Sequence, residues 1–250
     1  LNPLLNLARK KLQGRKTIAV MSAKGGVGKS VVSSLLAIAL SREYNTLLID
    51  LDIHTMALPK LFGYEGSLHE VRKEGIVPFT INEKLKLLTL GGVVRNKTVI
   101  LPGRNQEKVM ESLLGTGAIN EELVIFDLPP GLGDEILVLE KVTDFLPVVV
   151  TNPSELSVKV VKYLLDYLAE LGKDPLLVAN MSYIKCGSQI IRPFGNLSLH
   201  GMGRKQPQII ELPMDETLNE FIGKIHEYKG ELLDGINKLS IMINERMHQT

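Results

Sequence analysis

The sequence predicts an α/β fold, a mostly parallel twisted sheet with helices on both faces, on three observations. Short apolar runs at residues 17–21, 45–51, 85–90, 123–126 and 208–212 have the length of strands covered on both faces, and they lack the alternation of half-exposed ones. Longer segments at helical spacing separate several of them. Two runs close on acids, at Asp50-Leu51-Asp52 and at Asp127, and a third leads into Lys24-Gly25-Gly26-Val27-Gly28-Lys29-Ser30. Polar chemistry therefore collects at the carboxyl ends of strands, where parallel sheets hold ligands. With 250 residues and no shift of composition along the chain, a single domain is expected, residues 1–250.

In chain order, residues 1–16 bunch Arg9, Lys10, Lys11, Arg15 and Lys16 and read as a short solvated basic helix with no assigned function. The glycine loop follows the first strand. Glycines 25, 26 and 28 let backbone N–H groups turn inward without a Cβ clash, Lys29 reaches β- and γ-phosphates, and the Ser30 hydroxyl is placed for Mg²⁺. A helix opening near Val31 adds its positive end, so Gly25, Gly26, Val27, Gly28, Lys29, Ser30 and Val31 form the expected nucleotide-binding set. Residues 58–84, rich in Pro and Gly, carry no clear period and read as loop. Residues 104–115 read as a helix. Asp127, closing four buried-strand residues, has the usual position of a carboxylate that holds Mg²⁺, often through water. After it Pro129 and Pro130 stiffen a turn that Gly131 and Gly133 permit to swing, which suits a segment sensing a γ-phosphate.

One departure from the common phosphate loop narrows the reading: Ala23 stands where glycine is usual, and Lys24 is additional. The stretch 24–30 resembles the deviant loop of the ATPases that include MinD, ParA, the nitrogenase iron protein and the Mrp scaffold proteins. The resemblance implies a P-loop NTPase fold of that type, ATP and Mg²⁺ as cofactors, and a homodimer formed on ATP binding. It also implies that Lys24 acts in trans on the partner's nucleotide, much as an arginine finger does. By the same resemblance Asp52 orients the attacking water and Asp50 supports the metal. Lys24, Lys29 and Asp52 are then the catalytic set, and Ser30, Asp50 and Asp127 the Mg²⁺ set.

Residues 127–134, Asp-Leu-Pro-Pro-Gly-Leu-Gly-Asp, are similar to the second switch of the Mrp/ApbC iron–sulfur scaffold ATPases, making Pro129, Pro130 and Gly131 the switch. Residues 150–155 resemble that family's strand-to-helix junction, in which Asn152 caps the helix, Pro153 takes its first turn and Glu155 closes a capping box. Leu156, Val160, Leu164, Leu168 and Leu171 follow at helical spacing and are expected in the core. Asn180-Met181-Ser182 resembles the segment whose asparagine reads the adenine edge, and Pro213-Met214-Asp215 the segment beside the adenine. The likeness spans about residues 16–221.

Departures fall on the cargo side. The family's cluster site is a Cys-x-x-Cys shortly after Asn-Met-Ser, whereas here Cys186 is followed by Gly187, Ser188 and Gln189, in what reads as a loop between Met181 and Pro193. One thiolate per subunit supplies two of the four ligands a cluster normally needs. Cys186 is thus a candidate ligand for a cluster or soft metal only if other groups complete the shell, and an iron–sulfur or other client protein is the implied partner. The first-switch pattern Asp-x-x-Gly-Pro-Ser is altered to Asp52-Ile53-His54-Thr55-Met56-Ala57, with His54 read as solvated, and Leu132 replaces the usual Thr. Residues 192–205 read as a mobile loop. From Glu216 the chain reads as helical to the end. Its face of Leu232, Leu233, Ile236, Leu239, Ile243 and Met247 is expected to pack on the body or a partner, because the opposite face mixes signs where membrane-binding helices prefer lysine.

Charge balance, 29 basic against 28 acidic residues, gives no reason to expect nucleic acid or a membrane as the main partner. A single cysteine excludes an internal disulfide framework and fits the cytoplasm. No run reaches membrane-spanning length and no signal-peptide pattern is present. Two function classes stay open: an ATP-hydrolysing homodimer of the Mrp type, and a spatial organiser of the ParA or MinD kind whose ATP switch acts on DNA or a membrane surface.

Overall fold

The computed structural model describes residues 2–53, 55–93, 103–197 and 207–249; His54 and residues 198–205 of the expected mobile loop lie outside the described residues. The elements in order are α1 (Pro3–Leu12), β1 (Lys16–Met21), α2 (Lys29–Leu40), β2 (Thr46–Asp50), α3 (Ala57–Phe62), β3 (Val71–Arg72), β4 (Gly75–Ile76), β5 (Phe79–Thr80), β6 (Leu85–Thr89), α4 (Gly103–Thr116), β7 (Leu123–Asp127), α5 (Asp134–Val142), β8 (Leu146–Thr151), α6 (Glu155–Glu170), β9 (Leu176–Cys186), β10 (Gln189–Ile191), β11 (Gln208–Pro213) and α7 (Leu232–Gln249). Among the described residues nine strands join in one sheet, in the order β10-β9-β8-β1-β7-β2-β6-β5, with β11 also beside β9. Only β5 and β10, at its two edges, run antiparallel to their neighbours.

The unbroken apolar strands follow from burial on both faces. Along β1, Ile18 and Val20 join the core formed with α2 and α7, while Ala19 and Met21 join the core that α1, α4, α5 and α6 cover. The same alternation runs through β2 and β7, where Leu48 and Ile125 face one way and Leu47, Ile49, Val124 and Phe126 the other. A sheet so covered exposes backbone only at strand ends, and the carboxyl ends of β1, β2 and β7 therefore hold the polar residues.

Several expectations need correction. The basic segment is not a solvated helix: Leu5, Ala8 and Leu12 of α1 are buried against α4 and α5. Its cations satisfy carbonyls, with Lys11 Nζ donating to Gly115 O (2.7 Å) and Gly117 O (2.6 Å), and Arg15 donating to Ile119 O and Glu121 O. The stretch 58–84 contains α3 and short paired strands, because Leu58, Leu61 and Phe62 bury against the α2 side. In α6 the inward face is Ser157, Val161, Leu164, Leu165 and Leu168, and Leu156 is 59% exposed. Its N-cap is Ser154, whose Oγ accepts from Ser157 N; Asn152 accepts from Ser154 instead of capping the helix, and Glu155 pairs with Lys159 rather than closing a box. Residues 216–231 hold two short 3-10 turns, so the terminal helix begins only at Leu232. That helix packs on the body as expected. Gly235, which interrupts its apolar face, lets it approach β11, since a Cβ there would collide with Leu212. No described helix is long and apolar enough to cross a membrane.

Candidate functional site

β1 ends at Met21, and residues 22–28 carry the chain to the first turn of α2. Gly26 (φ 79°) and Gly28 (φ 81°) take the left-handed conformation that only glycine adopts freely, and Gly28 is the N-cap of α2. Gly28 meets a second constraint, since a Cβ there would strike the Asn180 amide. That amide donates to Val27 O at 2.9 Å, so Asn180 braces the loop from β9. Met181, next along, has φ 56°, and β11 shifts register beside it between Glu211 and Pro213. Backbone strain of this kind, in a residue other than glycine, is held in place by the surrounding fold and clusters at functional sites.

Behind the loop lies a buried polar network centred on Asp127, which is fully buried. Lys29 Nζ is 2.8 Å from Oδ1, Ser30 Oγ donates to Oδ2 at 2.8 Å, and Ser33 Oγ donates to Oδ1 at 2.6 Å. Three partners on one carboxylate satisfy the rule that a buried charge must be paired and hydrogen-bonded. Asp50 stands directly beside Asp127, in register across β2 and β7. It accepts from Asp52 N (3.1 Å) and Thr89 Oγ1 (3.2 Å). Burial pushes its carboxyl well above the ordinary range, the charge of Asp127 adds to the effect, and Lys29 opposes it. Thr89 is held in turn: its N–H donates to His69 Nε2 (3.1 Å), while His69 Nδ1 lies 2.9 Å from Val77 O. Nε2 also lies 3.1 Å from Thr89 O, so either tautomer of the ring finds partners, and burial lowers its pKa.

Asp52 is buried, and Thr55 holds both its carboxylate oxygens, through N–H to Oδ1 (3.1 Å) and Oγ1 to Oδ2 (2.8 Å). A cavity of about 360 Å³ opens in front, lined by residues 25–31 of the loop and by Ser22, Asp52, Thr55, Lys60 and Pro130. Gly25, Gly26, Val27, Gly28, Lys29, Ser30 and Val31 thus all reach it, whereas Asp50, Asp127, Asn180 and Pro213 are not among the residues that line it. Lys24 is exposed and does not line the cavity of its own subunit. The expected switch touches the loop: Gly131 N donates to Ser22 O at 2.8 Å, its φ is 115°, and Pro130 lies beside Gly25. Pro129 is half-buried.

Cys186 does not sit in an irregular loop. It ends β9 and is paired in register with Gln189 of β10, so Gly187-Ser188 is a two-residue hairpin turn with Gly187 at φ 61°. The thiol is exposed, and among the described residues no three or more His, Cys, Asp or Glu side chains are grouped to hold a metal. Sequence reasoning missed Ser33, Thr55, Thr89 and His69. Ser33 carries a signal, a hydroxyl four residues after Lys29 and so on the same helix face; the others depend on contacts made only in three dimensions.

The family model "ParA: NUBPL iron-transfer P-loop NTPase" matches residues 13–229. The chain is 31% identical over 220 residues to an iron–sulfur cluster carrier protein of Saccharolobus solfataricus, covering 81% of this chain and 72% of the relative. It is also 31% identical over 224 residues to a cytosolic Fe–S cluster assembly factor Nubp2 homolog of Aedes aegypti, covering 82% and 85%. A solved nucleotide-binding protein of Archaeoglobus fulgidus, in complex with ADP, superposes with TM-score 0.77 at 27% identity over 92% of this chain and 96% of that one. MinD of Pyrococcus horikoshii, complexed with Mg-ADP, shares the fold with TM-score 0.67 at 19% identity, covering 93% and 97%.

The carboxylate pair predicts a stability effect with a definite sign. A raised folded-state pKa at Asp50 means that stability is fully present below the ordinary aspartate value of about 3.9 and is lost as pH rises through the folded value. Asp50→Asn should therefore raise the melting temperature of nucleotide- and metal-free protein at neutral pH, with the gap closing as pH falls toward about 3.9. A lower melting temperature at pH 7.5 would show that the ionised carboxylate stabilises the empty site.

Proposed function

The chain belongs to the ParA family of NUBPL iron-transfer P-loop NTPases, and from that premise we propose that it binds ATP with Mg²⁺, hydrolyses it to ADP and phosphate as a homodimer, and couples the cycle to an iron–sulfur or other client protein in the cytoplasm. The observation that carries this reading is the junction of Lys29 and Ser30 with the buried Asp127 behind the glycine loop. Phosphates seated on the N–H groups of residues 25–30 offer Lys29 a second anion, so the lysine can leave Asp127 for the ligand. The released carboxylate, with Asp50 and the Ser30 hydroxyl, is an all-oxygen donor set of the kind Mg²⁺ uses alongside phosphates, and when bound the ion neutralises phosphate charge.

Asp52 orients the attacking water, held in a fixed plane by Thr55. The water oxygen bonds to Pγ, the bond from Pγ to the bridging oxygen breaks, its electron pair leaves on ADP, and both water protons end on inorganic phosphate, released as dihydrogen phosphate. Lys24 supplies its cation across the dimer, a reading supported by its exposure and its absence from its own subunit's cavity lining. The surface-organiser alternative has less support, because the apolar face of α7 is buried against α2 and β11.

The cargo half rests on ligand count. One exposed thiol per subunit leaves any cluster to be completed by groups from elsewhere. The family's second cysteine position, Gln189, nonetheless lies directly across the hairpin from Cys186.

Two outcomes follow. With ATP bound and hydrolysis blocked, the wild type should sediment as a dimer and Lys24→Ala as a monomer with turnover reduced at least about tenfold; a monomeric wild type with normal Lys24→Ala turnover contradicts the two-subunit mechanism. After anaerobic reconstitution and desalting, the wild type should retain substoichiometric, chelator-labile iron, and Gln189→Cys should retain more. A stable, stoichiometric four-iron cluster in the wild type would refute the ligand-count argument.

A further inference from the structure

Ser22 occupies the turn between β1 and the glycine loop, and it is 1% exposed. Its main chain is committed, because Ser22 O accepts from Gly131 N of the switch. Its side chain is not: among the described residues the buried Oγ meets no hydrogen-bond partner. Leaving a buried hydroxyl unsatisfied is costly, whereas alanine would fill almost the same space at no such cost. Ser22 is one of the residues that line the candidate cavity, together with Lys29, Ser30, Asp52 and Pro130. The glycine loop, Lys29 and Ser30 line that cavity, which makes it the phosphate end of the proposed site.

We propose that the Ser22 hydroxyl is a phosphate-binding donor of the nucleotide site, taken up by an oxygen of the terminal phosphate of a nucleoside triphosphate. The inference rests on the ATP-binding reading and deepens it. A phosphate oxygen is an acceptor, which is what an O–H otherwise lacking a partner requires, and a hydrogen bond to a charged group is stronger than one between neutral groups. Because the same residue anchors Gly131, a terminal phosphate held by the Ser22 side chain is one residue's length from the hinge of the switch. Loss of that phosphate on hydrolysis then removes a contact from the residue against which the switch is pinned.

The test is Ser22→Ala, read by thermal melting without nucleotide and by calorimetric titration with ADP and with a non-hydrolysable ATP analogue, Mg²⁺ present. The variant should melt at or above the wild-type temperature, bind the triphosphate analogue roughly tenfold more weakly, the size expected for one hydrogen bond to a charged group, and bind ADP within about twofold of wild type. A lower melting temperature with unchanged affinity makes the hydroxyl structural and overturns the proposal. Equal losses for both nucleotides overturn the assignment to the terminal phosphate. If wild type binds the analogue and Ser22→Ala binds it equally well, the inference fails alone; if wild type binds neither nucleotide, the ATP-binding reading fails and takes the inference with it.

Discussion

The ion pair of Lys29 with Asp127 is the constraint on which the site depends. Both side chains are buried, so neither charge is tolerable without the other, and the pair fixes the start of α2 against the end of β7. Ser30 and Ser33 complete the carboxylate's shell from the same helix turn. Everything that would meet a nucleotide is placed by this anchor: the glycine loop lies immediately before Lys29, and β2 and β1 flank β7 in register, bringing Asp50 beside Asp127. The charges of the site pair with one another. A ligand must offer the lysine a better anion and the carboxylates a cation, which ties phosphate and metal into one exchange.

A second tension sits beside the first. Asp50 and Asp127 place two carboxylates side by side with one lysine paired to Asp127, and the fold raises the pKa of Asp50 rather than separating the pair. Such an arrangement favours a proton or a cation, and Thr89 with His69 keeps Asp50 from turning away from it. Thr55 does the same for Asp52. The rim is therefore rigid where charge is concentrated, while Gly131 joins it through a single backbone hydrogen bond to Ser22.

The parts legible in the sequence are those whose physics is local. The loop at residues 24–30, the acids closing β2 and β7, and the fully apolar central strands follow from spacing and burial that neighbours along the chain determine. The basic N-terminal segment misled because its cations outweigh Leu5, Ala8 and Leu12, whose spacing was that of a buried helical face. α3 has six residues and includes Pro59, too short for a period to show. The hairpin at Cys186 carries a signal, Gly187-Ser188 between two β-rich stretches, of the kind that marks a two-residue turn. Thr55, Thr89 and His69 could not be found this way, since each acts through a contact or a burial that only the folded chain creates.

The central claim is that Lys29 exchanges Asp127 for the phosphates of ATP. Calorimetric titration of Lys29→Ala with ATP and Mg²⁺, on protein shown by circular dichroism to keep its fold, tests it most directly. The account predicts no measurable binding under conditions where the wild type saturates; binding at wild-type affinity would contradict it.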